Sequence, residues 1–365
     1  MADMMEVQEK LKRVRSFMEE KGYDAVVLSL NENFFWLTGG KNGFVDKSGP
    51  AASKLLITEE KAYAVCNSSE RYRVMEEELT NGEFELIGYF WHEQESDILR
   101  SYLQGKHVAS DNGCYGINEG AAIQKLRYVL TDEEISRFRE IGPEAAEILE
   151  EGCRKIKKGE TEFEIAGRIT GMLMAKGYQV PVCLVAADER LKKYRHPVPT
   201  EKTVEKYAMA AICAQKYGLT ISASRLVSFG EPDIDKKKRI EAVGKVDAAY
   251  ILSTVPGEYA RNILETGKKV YEEEGYGEDF HLHHQGGALG YPTRDYCTNF
   301  ACTEIVHDRQ GFSWNPTIAG VKSEDTFLVV DGKQEIISHT GKWEYQDVEY
   351  NGKHILRPGI LVIGS

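Results

Sequence analysis

The chain reads as an α+β protein of two domains, on three observations. Its 365 residues suit two domains of about 150 residues each. Helix-like and strand-like segments alternate through the first third, as an α/β layer requires. Beyond it, two pairs of helical segments are separated by strand-like runs, the pattern of a duplicated α+β half. The boundary is expected near residues 126–131, which gives domains over 1–128 and 129–365.

The first helix is marked by Val7, Leu11, Val14, Phe17 and Met18 on one face with charge opposite, and Gly22 stands where it would stop. Residues 25–30 (AVVLSL) read as a buried strand. Residues 54–57 and 62–65 flank a polar quartet and read as a hairpin. Strands are expected at 85–89 and 108–110, and helices at 71–79 and 95–102. Thr131 with Glu134 forms a capping-box signature, so a long helix is expected from about 132 to 152. Thr161 with Glu164 is a second such signature, ahead of a helix ending near Gly177. Residues 239–254 and 259–274 read as two further helices; 207–214, 219–229 and 327–330 read as strands.

Composition narrows the function. Hydrophobic residues make up 42% and charged residues 28%, as in ordinary globular proteins. The net charge of −12, with no basic stripe, argues against nucleic acid. The short basic run 236–239 is expected to be the solvated start of a helix. No apolar run approaches the roughly 20 residues of a membrane span, and the start lacks a signal-peptide core, so no membrane association is expected. The seven cysteines are scattered without a CxxC pair, which disfavours a disulfide framework or zinc knuckle and fits a cytoplasmic location. Each is expected to be a small buried hydrophobe. The glycines at 286, 287 and 290 lack the strand–turn–helix context of a dinucleotide loop and suggest close backbone approach instead.

Residues 15–40 (RSFMEEKGYDAVVLSLNENFFWLTGG) resemble the N-terminal domain shared by creatinase, prolidase and aminopeptidase P. The Gly-Glu-Thr-Glu of 159–162, the Tyr-Arg-His-Pro of 194–197, Tyr217-Gly218, Gly286-Gly287 and the Lys-Ser-Glu-Asp of 322–325 follow that family's order. The resemblance spans nearly the whole chain. It implies a creatinase-like α/β N-terminal domain followed by a pita-bread domain, with the active site on the concave sheet face and a homodimer as partner arrangement. Metallopeptidases of this family hold two divalent ions with two Asp, one His and two Glu. Carried over by resemblance, these positions read here Ala211 (or Cys213 if the register slips), Ser222, Gly287, Asn315 and Glu324. One carboxylate among neutral groups does not hold two doubly charged ions. No metal pair and no other cofactor is therefore expected. His281 and His283, at H-x-H spacing on one strand face, with His284 beside them, offer at most a single-ion site.

The resemblance also implies what remains. His196 matches the creatinase histidine that hydrolyses a C–N bond without metal, and imidazole suits a proton shuttle near neutrality. Glu324 matches a glutamate that contacts the cationic part of substrate; strand alternation should point it away from Ser323 and Asp325. Arg294 suits a substrate carboxylate, and His283 a reacting oxygen; His284 and Tyr291 are further substrate-binding candidates. The implied activity is metal-independent, creatinase-like hydrolysis of a C–N bond in a small carboxylate-bearing substrate. The alternatives are an Xaa-Pro aminopeptidase or dipeptidase taking short peptides, and a non-catalytic binding protein on the same fold.

Overall fold

The computed structural model describes residues 2–46 and 49–364. Two compact units are distinguished: Met1–Glu134 with Tyr217–Leu219, and Ile135–Lys216 with Thr220–Ser365.

The first unit is built on a six-stranded sheet. Its strands are β1 (Ala25–Leu28), β2 (Lys54–Thr58), β3 (Ala62–Asn67), β4 (Glu85–Tyr89), β5 (Val108–Ser110) and β6 (Ile117–Asn118), in the spatial order β4-β3-β2-β1-β5-β6. β1 is central and wholly buried, pairing antiparallel with β2 and parallel with β5, which is why its sequence is an unbroken apolar run. The helix α1 (Ala2–Lys21) buries Val7, Leu11, Val14, Phe17 and Met18, the stripe its periodicity required. The segment expected to be a plain helix over 71–79 differs. It is α-helical only at Arg71–Arg73 and becomes a π-helical turn over Val74–Glu78. The Leu79 amide donates to the Val74 carbonyl at 2.7 Å. In an α-helix, residues five apart diverge by about 140°. The wider turn lets Val74 and Leu79 both be buried.

In the second unit, the helices α2 (Asp132–Arg154) and α3 (Glu162–Met174) start at the two capping boxes. The Glu134 amide donates to Thr131 Oγ1 at 3.2 Å and the Glu164 amide to Thr161 Oγ1 at 3.1 Å. Each glutamate accepts in return from its threonine's amide at 2.8 Å. The second helix pair is α4 (Ile234–Ser253) and α5 (Ala260–Glu273). α4 begins five residues before the expected start, because Asp233 caps it by accepting from the Lys236 amide at 2.8 Å. The expectation of a solvated basic run is also corrected at Lys236. That residue is buried, its Nζ donating to the Gly320 carbonyl at 2.9 Å and lying 4.5 Å from the centre of the Tyr207 ring.

One sheet of this unit places β7 (Gln179–Ala187), β8 (Tyr207–Lys216) and β9 (Leu219–Phe229) side by side. β8 and β9 are joined by the tight Tyr217-Gly218 turn, where both φ angles are positive (55° and 74°) as such turns demand. The other sheet comprises β10 (Gly286–Ala288), β11 (Tyr296–Cys297), β12 (Gln310–Trp314), β13 (Phe327–Val330) and β14 (Lys333–Ile336), in the order β11-β10-β12-β13-β14. Gly286 and Gly287 are required by this packing: a Cβ would lie 2.3 Å from the Ser313 carbonyl oxygen at the first and 2.3 Å from that of Tyr296 at the second.

The two sheets are stitched through the segment 323–326. The Ser222 amide donates to Thr326 Oγ1 at 2.7 Å, and the Ser224 amide to the Glu324 carbonyl at 3.0 Å. Behind this segment lies a fully buried charge network. Asp325 accepts from Arg225 at 3.1 Å and from Arg357 at 2.9 Å, Arg225 also reaches Glu150 at 3.1 Å, and Arg357 reaches Asp247 at 2.6 Å. Ser323 and Asp325 therefore face inward to that network, and Glu324 faces the opposite way.

Candidate active site

Glu324 opens into a cavity of about 270 Å³ within the second unit. Its apolar wall is Val182, Leu184, Ala211 and Ile212, from β7 and β8. Its polar wall gathers His196, His284, Arg294, Asn315, Lys322 and Glu324, with Cys213 and Cys297 between them. A larger cleft in the first unit, about 1000 Å³ and bordered by Arg15, Glu19, Lys61 and Tyr102, is an open groove of surface charges with no histidine or cysteine in its lining.

The Glu324 carboxylate is gripped by two cations. Arg294 Nη2 donates to Oε1 at 3.0 Å, and Lys322 Nζ lies 2.9 Å from Oε2. Burial alone would raise this carboxyl; Lys322 and Arg294 hold it below its usual range, so it stays ionised. The trio carries a net charge of +1. Glu324 thus serves first to hold two cations at the cavity wall.

Three imidazoles face this trio. His196 Nε2 and His283 Nε2 are 3.1 Å apart, and the His196 ring stacks on His284 with centroids 5.4 Å apart. His283 is 9% exposed, and its Nδ1 has no hydrogen-bond partner among the described residues. Burial, reinforced by the Lys322 charge, lowers His283 to about 2. Burial and Arg294 lower His284 to about 4. His196 is lowered for the same reasons, burial first and then Lys322. All three are neutral at pH 7.

His196, His284, Arg294 and Glu324 thus line one cavity, with His283 directly behind His196. Tyr291 does not line it. Its ring is buried and its backbone carbonyl accepts from Gln215 Nε2 at 2.8 Å and Thr220 Oγ1 at 3.0 Å, so it helps tie the strands together. His281 also stands apart, and the H-x-H expectation is corrected. Residues 281–285 form no strand after the short helix Gly277–Phe280, and His281 packs edge-on against Phe280. Lys322 opens the Lys-Ser-Glu-Asp segment, and its i, i+2 spacing from Glu324 is the sequence signal that places both on one face of an extended chain. Cys114 and Cys297 are exposed, contrary to the expectation of burial. A cysteine alone in sequence gave no sign that Cys297 lies 4.0 Å from His284 Nδ1.

The paired ions of the resembling metallopeptidases do not fit this donor set. Ala211, Ser222, Gly287 and Asn315 supply no charge, and Cys213 carries a thiol whose pKa is raised, by burial first. Arg294 instead spans the place between two of the positions, with Nη1 3.3 Å from Ser222 Oγ and Nη2 on Glu324. No histidine can occupy position 287 on this backbone, given the 2.3 Å approach of the Tyr296 carbonyl. Gly287→His is therefore expected to destabilise the protein by at least about 1–3 kcal/mol through overpacking, without creating a two-ion site. Thermal denaturation and metal analysis of that variant check this; unchanged stability with two ions per chain would contradict it.

Comparison with known proteins agrees with this architecture. The Creatinase/Prolidase N-terminal domain profile matches residues 10–141, and that of metallopeptidase family M24 matches residues 136–331, more than half of the chain. The chain belongs to metallopeptidase family M24. Among curated relatives, an Xaa-Pro dipeptidase of Pyrococcus horikoshii is 24% identical over 357 residues, covering 92% of this chain and 98% of the relative. An Xaa-Pro dipeptidase of Lactobacillus helveticus is 26% identical over 263 residues, covering 69% of this chain and 71% of the relative. Among solved structures, the dipeptidase PepE of Mycobacterium ulcerans superposes with a TM-score of 0.78 at 14% identity, covering 100% of this chain and 99% of the other. At that identity the likeness establishes the fold, which is the pita-bread fold behind a creatinase-type N-terminal domain.

Proposed function

We propose that this M24 member hydrolyses a C–N bond in a small, carboxylate-bearing substrate without a pair of divalent ions. The observation that carries the reading is the Arg294–Glu324–Lys322 trio beside neutral His196. The trio's excess positive charge attracts a substrate carboxylate. The apolar wall of Val182, Leu184 and Ile212 takes the substrate's hydrocarbon part. His196 takes a proton from water and returns it to the leaving nitrogen. Its contact with His283 selects the tautomer: when His196 Nε2–H donates to His283 Nε2, His196 Nδ1 is left as the free base. His283, kept neutral by burial, is suited to that acceptor role.

The names of the curated relatives favour an Xaa-Pro dipeptide as the substrate. That second reading involves the same bond type and the same anchoring of a carboxylate, here the peptide's C-terminus. It differs from the first in the substrate.

The test is a product analysis after exhaustive dialysis against a chelator. Xaa-Pro dipeptides are assayed beside ureido, guanidino and cyclic amidine acids. Hydrolysis at a rate unchanged by chelation, and not stimulated by added Mn2+, is expected. Turnover that appears only with added metal would overturn the metal-independent mechanism. Ligand-induced thermal stabilisation without any product would identify a binding protein instead.

A further inference from the structure

We infer that His196, His283 and His284 form a binding site for one late first-row divalent ion of the Zn2+ class. The site differs from the two-ion arrangement of the family in both position and chemistry: it uses three imidazoles and no carboxylate.

One nitrogen from each ring lies within 4.8 Å of the others. A tetrahedral ion at about 2.0–2.1 Å from each nitrogen needs them about 3.4 Å apart. The His196–His283 pair is already at 3.1 Å. His196 and His284 are exposed, so their rings can turn by the remaining ångström or so. His283 is the fixed member: it is buried, and its Nε2 already faces His196 Nε2. The rings are neutral at pH 7, so coordination by them displaces no proton, whereas a Cys297 donor would release its thiol proton. Cys297 Sγ, 4.0 Å from His284 Nδ1, is placed to become a fourth donor; water is the other choice.

The surrounding charges set the selectivity. Arg294 and Lys322 oppose any cation, Glu324 is occupied by both of them, and Arg195 is paired with Asp279 at 3.0 Å. Hard ions such as Mg2+ and Mn2+ depend on carboxylates and gain nothing here. Zn2+, Cu2+ and Ni2+ accept imidazole donors and bind such sites more tightly. The ion would take the nitrogen lone pair that His196 needs as a base. On the proposed reaction, which this last step presupposes, the bound ion is an inhibitor.

Calorimetric titration of the chelator-treated full chain with ZnCl2 and, separately, MnCl2 tests the site. One Zn2+ per chain is expected, with Mn2+ binding far weaker. X-ray absorption at the zinc edge should show a shell of three imidazoles. His284→Ala, at an exposed position, should weaken Zn2+ by at least about 10-fold without loss of fold. Absence of Zn2+ binding, equal binding of Mn2+, or affinity unchanged in His284→Ala would overturn the site and leave the hydrolysis untouched. Zn2+ binding with turnover abolished supports both ideas. Zn2+ binding with turnover intact supports the ion site and removes His196 as the base.

Discussion

His196→Ala is expected to lower kcat by about 10²–10⁴-fold, the usual worth of a positioned general acid–base. The loss should be in chemistry alone. His196 is exposed and its side chain contacts two other imidazoles at the cavity mouth, so the variant's stability should stay within about 0.5 kcal/mol of the parent. The carboxylate anchor is separate, so KM should change little. The pH profile supplies an independent sign. The base form of His196 is required, and partial desolvation beside the neighbouring rings, with the Lys322 charge, lowers its pKa from 6.5. Its lone pair is then free at lower pH than in an ordinary histidine, and the acid limb of kcat/KM should fall below pH 6.5. Steady-state kinetics on whichever substrate class turns over checks both. Undiminished turnover in the variant would remove His196 from the mechanism.

Asp325→Ala should have the largest effect on stability, about 3–5 kcal/mol. The side chain is fully buried between Arg225 and Arg357, and its removal leaves each guanidinium short of one buried acceptor. Glu150 and Asp247 still serve one arginine each, which keeps the loss from being larger. The network also fixes the segment that presents Glu324, so the variant should bind substrate less well. Protonation provides a second view. Burial by itself would raise the Asp325 carboxyl, but Arg225 and Arg357 hold it far below its ordinary 3.8. A depressed folded value means the contribution is present above pH 3.8 and is lost as pH falls through the folded value. Parent and variant should therefore converge in stability only in strong acid. Denaturant unfolding at neutral and acidic pH measures this; a difference under about 1 kcal/mol at pH 7 would show that the network is weakly coupled to folding.

Much of the architecture is legible locally. The stripe Val7, Leu11, Val14, Phe17 and Met18 fixes a helix because a 3.6-residue period admits few other structures. The threonine–glutamate pairs at 131/134 and 161/164 mark helix starts because they satisfy the same free amides wherever they occur. Local signals fail where a distant partner decides. The π-helical turn at Val74–Glu78 exists to bury two residues at once, and Lys236 is buried because a carbonyl from position 320 receives it. Neither partner is within reach of a sequence window.

The same division runs through the site. Residue identity alone determined that the strands over 208–225 contain no acidic side chain and that position 287 has no side chain at all. Too few anionic ligands are then left at these positions to match the family's two-ion donor set. Only the tertiary structure decided what replaces it. Arg294 and Lys322 close on Glu324, and His196 meets His283 across 87 residues of chain. A side chain's type is fixed by its codon, whereas its charge state and reach depend on neighbours that folding brings within a few ångströms.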